Sequence, residues 1–216
     1  MPTHRFALPL LFASVLLPGT AAAGVANGSF ADGFSGWHGL LGDTGGPPAT
    51  SVDDPAASSF YSLPGAGLAQ LQFDATDFDV FIVELYQAFS FADLDEPIAV
   101  QFQWDWQPSD GSADSFQILL EDGLGTTYSF IDSLFGTPPD NSAAAAEPLR
   151  TDSFLIPAGF FSDPNLRFSA QITDFDYVIT DTLRVGNLSI TSVPAPAPVA
   201  LLALGGLALA RVRRRR

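Results

Sequence analysis

Between Ile98 and Trp106 the large apolar side chains recur at every second position: Ile98, Val100, Phe102, Trp104 and Trp106 alternate with Ala99, Gln101, Gln103 and Asp105. A period of two gathers these five on one face of an extended chain, whereas a helix would scatter them around its axis. The stretch therefore predicts a half-buried antiparallel strand. A second long pattern sets Phe81, Val83, Leu85, Phe89 and Phe91 on one face and Glu84, Tyr86, Ala88 and Ser90 on the other.

Shorter strands are expected at Leu68 to Phe73, Phe116 to Leu120, Tyr128 to Ile131, Ser153 to Ile156, Leu166 to Ile172 and Leu183 to Ile190. Many strands with turn signals between them predict an all-β fold, an antiparallel β-sandwich. In the last strand the apolar set switches from Leu183 and Val185 to Leu188 and Ile190, which predicts a β-bulge around Gly186. Gly45 to Ser59 and Gly136 to Pro148, rich in Pro, Gly, Ala and Asp, read as surface loops. The chain has no cysteine, so the hydrophobic core or a hard cation must hold the domain together.

Both ends read as addresses, which leaves one domain over 24–192. Residues 1–23 have the layout of a signal peptide: Arg5 in a positive lead, an apolar run from Phe6 to Leu17, and a small-residue zone ending in Ala21, Ala22 and Ala23. Cleavage by signal peptidase is expected after Ala23, with Ala21 and Ala23 as the small residues it reads. In 193–216, Val193, Pro194, Ala195 and Pro196 open a stiff lead, followed by an apolar run from Val199 to Ala210. Arg211, Arg213, Arg214, Arg215 and Arg216 form a basic membrane stop. As a short transmembrane helix this run covers about 18 Å against a hydrocarbon core of roughly 30 Å, which fits a transient membrane stop better than a permanent anchor.

This tripartite tail resembles the PEP-CTERM sorting signal of Gram-negative bacteria, with Ala195 where that family usually carries glutamate. The resemblance implies an exosortase-like transpeptidase as partner, transient contact with the inner membrane, and delivery to the cell surface or the extracellular polysaccharide of a biofilm. Within the domain, Asn27-Gly28-Ser29-Phe30 with Gly33-Phe34 and Gly36-Trp37 resembles the opening strand of galactose-binding-like, jelly-roll modules. Gly186-Asn187-Leu188-Ser189-Ile190 is similar to their closing strand. The expected architecture is thus jelly-roll-like.

Charge narrows the partners. All 24 acidic residues lie between Asp32 and Asp181, and between the two end segments the only basic residues are Arg150, Arg167 and Arg184. Such a domain repels nucleic acid and, at low salt, anionic lipid and free polyuronate, unless divalent cations bridge carboxylate to carboxylate. Calcium, neutral glycans and cationic partners stay open.

Catalysis is poorly provided for. His38 is the only histidine beyond the signal peptide, so a nucleophile–histidine pair would have to rest on it, and the expectation is a surface-loop histidine in a non-enzymatic protein. The acidic residues are too many to single out a glycosidase pair, although a small extracellular glycan hydrolase is the alternative.

Trp37 and Trp106 are candidates for stacking on sugar rings, alongside Tyr61 and Tyr128. Trp106 shares its face with Trp104 and Phe102, so core packing competes with that role. The tetrapeptide Thr-Asp-Phe-Asp occurs twice, at Thr76 to Asp79 and Thr173 to Asp176. If both copies reach one rim of the sandwich, Asp77, Asp79, Asp174 and Asp176 would form a calcium site; the competing reading is chance recurrence in an Asp- and Phe-rich domain. The function expected from sequence is adhesion or scaffolding in an extracellular polysaccharide matrix.

Overall fold

The computed structural model describes residues 24–43, 49–73, 79–108, 115–133, 146–174 and 181–193. In chain order the strands are β1 (His38–Asp43), β2 (Thr50–Val52), β3 (Tyr61–Gly65), β4 (Leu68–Gln72), β5 (Val80–Ser90), β6 (Ile98–Gln107), β7 (Ser115–Asp122), β8 (Thr127–Asp132), β9 (Glu147–Ile156), β10 (Asn165–Thr173) and β11 (Thr182–Ser192). They form a six-stranded sheet in the order β2-β1-β5-β10-β7-β8 and a five-stranded sheet in the order β3-β4-β11-β6-β9. All pairings are antiparallel. From β4 to β7, and again from β8 to β11, each connection carries the chain to the other sheet, which is jelly-roll winding.

The two long alternations behave as their period requires. The Ile98, Val100, Phe102, Trp104 and Trp106 side chains are buried, as are Val83 and Leu85 from β5 and Phe91 just past its end. Rings dominate the interior: Phe102 lies 5.5 Å from Phe130 and 5.8 Å from Phe168, and Trp106 stacks on Phe116 at 4.7 Å. The bulge in β11 is present, with the β6 register shifting between Gly186 and Ser189 and Asn187 at φ 47°.

Three expectations change. Residues 27–36 form successive turns rather than an opening strand, and the first strand begins at His38. The side-chain amide of Asn27 ties these turns together, donating to the carbonyls of Gly33 at 2.8 Å and Ser35 at 3.2 Å while accepting from the Asp32 N–H at 3.1 Å. Within the expected Gly45 to Ser59 loop, Thr50–Val52 pairs with β1. β9 contains the expected strand at Ser153 to Ile156 but starts at Glu147, inside the second expected loop; it is an edge strand, and its first half takes its extended shape from pairing with β6 rather than from an apolar period.

The segments that carry the galactose-binding-like resemblance meet in space. The Leu188 N–H donates to the Gly28 carbonyl at 3.0 Å, and the Asn187 N–H to that of Gly67 at 3.2 Å. On the inner face of β5, Gln87 fills the polar gap in the apolar pattern, and its Nε2 donates to the carbonyls of Ala26 and Gly36, each at 2.9 Å. Sheet and N-terminal turns are thereby locked together.

Candidate functional site

The outer face of β5 presents Glu84, Tyr86, Ala88 and Ser90, the polar side of its alternation. The neighbouring strands bring partners to it. Arg167 on β10 reaches Glu84 at 2.7 Å and Glu121 on β7 at 3.1 Å, so one guanidinium ties three adjacent strands together. Its carbon lies 4.0 Å over the Tyr86 ring, and His38 on β1 stands 5.7 Å from that ring on a neighbouring strand. Burial pushes the Glu84 carboxyl up, against the opposing pull of Arg167 and of a hydrogen bond from Ser169.

At the end of this face, where β5 and β7 finish and β10 begins, lies an open groove of about 590 Å³. Ser90, Glu121, Asp122, Asn165 and Arg167 supply its polar side chains. Ser90 Oγ donates to Asn165 Oδ1 at 3.2 Å, while the Asn165 Nδ2 donates to Asp163 at 2.8 Å. The floor is anchored by Asp122, whose carboxylate accepts backbone N–H groups of Leu124, Thr126, Ser162 and Asp163. Burial would raise this carboxyl, yet the four donors outweigh it and hold its pKa down at about 2. The groove therefore offers preset donors and acceptors with Phe89 in its lining, an arrangement suited to a hydroxyl-rich ligand.

The tryptophans expected to bind sugar do not contribute. Trp37 is 1% exposed and Trp106 0%, both inside the core cluster. Trp37 packs on Phe30 and Phe168 and donates its indole N–H to the Asn27 carbonyl. Neither ring can face a ligand, because the turns of 27–36 fold Trp37 inward and the period of β6 points Trp106 between the sheets. Tyr61 is also buried, its hydroxyl donating to the Glu84 carbonyl at 2.9 Å; burial raises its pKa. Tyr128 is half-buried against Phe130 and Phe160. His38 is exposed, on a strand rather than in a loop.

Of the proposed calcium ligands, Asp77 and Asp176 lie outside the described residues. The strand ends carrying the two Thr-Asp-Phe-Asp copies are neighbours: Thr173 pairs with Ile82, and the Asp174 N–H donates to the Phe81 carbonyl at 2.9 Å. Asp79 is exposed and Asp174 buried. Among the described residues no group of three or more acidic or histidine side chains could hold a metal ion. Ala21 and Ala23, the motif residues Pro194, Ala195 and Pro196, and the terminal arginines also lie outside them. Val193 is described, and its N–H donates to the Pro97 carbonyl at 2.8 Å. Among the described residues no helix is long and apolar enough to cross a membrane.

No family model and no curated protein matches the sequence. Solved structures resemble the fold. TmCBM61 in complex with β-1,4-galactotriose superposes with a TM-score of 0.44 at 10% identity, covering 78% of this chain and 97% of that one. The K3 cleaved adhesin domain of Lys-gingipain from Porphyromonas gingivalis w83 gives 0.45 at 14%, covering 76% and 96%. The alginate lyase from Corynebacterium sp. gives 0.45 at 9%, covering 74% and 95%. A binding module, an adhesin domain and a lyase share this likeness, so it carries no ligand or activity over to the present chain. What the chain's own strands define is an antiparallel β-sandwich of jelly-roll winding with a polar groove on its six-stranded sheet.

Proposed function

We propose that this chain is an exported, surface-associated glycan-binding protein without catalytic activity, which serves adhesion or scaffolding in an extracellular polysaccharide matrix. The supporting observation is the groove at the ends of β5 and β7, where Arg167, lying over Tyr86, is held by Glu84 and Glu121 and Asn165 is held by Asp163 and Ser90. Polar groups fixed in advance lose little freedom when a sugar binds. The N-terminal segment and the tripartite tail support export through the inner membrane, with signal peptidase, an exosortase-like transpeptidase and transient membrane contact as the route. Calcium bound by Asp77, Asp79, Asp174 and Asp176 remains part of this reading as a stabilising ion.

A glycan array on the full-length protein in mild detergent, paired with a reducing-sugar assay on the bound polymers, tests the proposal. Binding without turnover is expected. It should be weakened in Asn165→Ala, with the melting temperature little changed, and weakened in Tyr86→Ala, which removes the ring beneath Arg167. Release of reducing ends would replace binding by hydrolysis, and absence of any glycan ligand would overturn the reading.

A further inference from the structure

Each arginine of the described fold is committed to the protein's own carboxylates. Arg150 lies between Glu147 at 3.2 Å and Asp152 at 3.1 Å. Arg167 lies between Glu84 and Glu121, and Arg184 grips both oxygens of the buried Asp105, with Nε to Oδ1 at 2.7 Å. The sequence places no lysine anywhere in the chain. An anionic sugar would therefore find no guanidinium or ammonium on the described surface with charge to spare.

At the groove the imbalance is local. One guanidinium faces Glu84 and Glu121, while Asp122 lies in the lining and stays ionised through its four backbone donors. Asp163 adds a further carboxylate beside Gly123, where a Cβ would meet its Oδ2 at 2.6 Å. Glu121 uses one oxygen on Arg167 and its side chain is 30% exposed, so the carboxylate can also be reached from the groove. An ammonium group supplies three donors and a full positive charge to such a site. A neutral hydroxyl or acetamide supplies neither the charge nor the third donor, and a uronate is repelled.

We infer that the groove selects glycans carrying free amines, partly deacetylated amino-sugar polymers, over neutral and acidic ones. This rests on the glycan-binding reading above and deepens it. Carboxylate–ammonium contacts at a solvent-open groove are individually weak, so the selectivity comes from several acting together and is sensitive to salt.

The test is calorimetric titration of the full-length protein in mild detergent with glucosamine pentamer, N-acetylglucosamine pentamer, a neutral glucan pentamer and an oligogalacturonate. It is run at a pH where the amine is protonated, in low and high salt. The glucosamine pentamer should bind at least about tenfold tighter than its acetylated counterpart in low salt, a gap of about 1.4 kcal/mol. High salt, or a pH at which the amine is neutral, should shrink that gap. Glu121→Gln with Asp163→Asn should remove it while retaining residual binding; both are exposed or half-exposed and near-isosteric, and a melting curve checks folding. A single Asp163→Asn variant provides the milder arm. Equal binding of the glucosamine, acetylated and neutral oligomers, preference for oligogalacturonate, or a gap that survives the double substitution would overturn the inference while leaving glycan binding in place. Failure of all four to bind would remove both.

Discussion

Gly28 sits so close to Leu188 that the Leu188 N–H donates to its carbonyl at 3.0 Å and a Cβ at Gly28 would overlap the Leu188 carbonyl oxygen. This contact staples the N-terminal turns onto the bulge of β11. Because the obstructing atoms are backbone, neither side can turn away. Gly28→Ala should destabilise the domain by about 1 to 3 kcal/mol, read as a shifted midpoint in chemical denaturation. An unchanged midpoint would mean that the turns do not dock on β11.

Trp104 joins the core to the edge of the five-stranded sheet. Its ring is buried, its indole N–H donates to Asp152 at 2.7 Å, and Arg150 lies 4.3 Å over it. Trp104→Ala should cost about 3 to 5 kcal/mol through the cavity it leaves. Trp104→Phe, which keeps most of the volume but abandons the hydrogen bond, should cost about 1 to 3 kcal/mol. Losses below about 1 kcal/mol in both variants would contradict this packing.

Asp122 and Glu84 should bend the pH dependence of stability in opposite directions. With its pKa lowered to about 2 in the fold, Asp122 stabilises the native state at higher pH, and that contribution is lost as pH falls from the ordinary carboxyl range toward 2. Glu84 has a raised pKa, so its contribution is present below the ordinary carboxyl range and is lost as pH rises through its folded value. Denaturation midpoints measured from pH 2 to 7 should show a shallower acid limb in Asp122→Asn than in wild type. Superimposable acid limbs would show that other carboxylates carry the transition.

Calcium should raise the melting temperature by several degrees, since an ion at about 100 times its Kd contributes about 2.7 kcal/mol. Magnesium should do less, because it gives up its water reluctantly. Asp79→Asn with Asp176→Asn should erase the calcium response and raise stability in chelator by removing repelling charges. Equal shifts in wild type and variant would reduce the effect to diffuse screening.

On the proposed sorting role, in which a basic cluster fixes membrane orientation, deleting Arg211 and Arg213 to Arg216 should leave the melting curve of the domain unchanged and abolish normal sorting. The mature mass and the cell fraction in which the protein appears provide the readout. Normal processing of the truncated chain would remove the sorting signal from the account.

What the chain determined locally was the two-residue period. It specified the buried faces of β5 and β6, the inward position of Trp104, the bulge after Gly186 and the outward row Glu84, Tyr86, Ala88 and Ser90. Each follows from steric alternation along a single strand and needs no partner to be read. The short strands β1 to β3 and the first half of β9 lack that signal, since their shape comes from pairing with stronger neighbours. Trp37 looked like a loop aromatic because only the docked turns carry it into the core. The groove belongs to the tertiary structure as well: Arg167 meets Glu84 across 83 residues of chain and Glu121 across 46. Sheet order and register decide which strands lie side by side, and those depend on packing the whole sandwich at once rather than on any local run of residues.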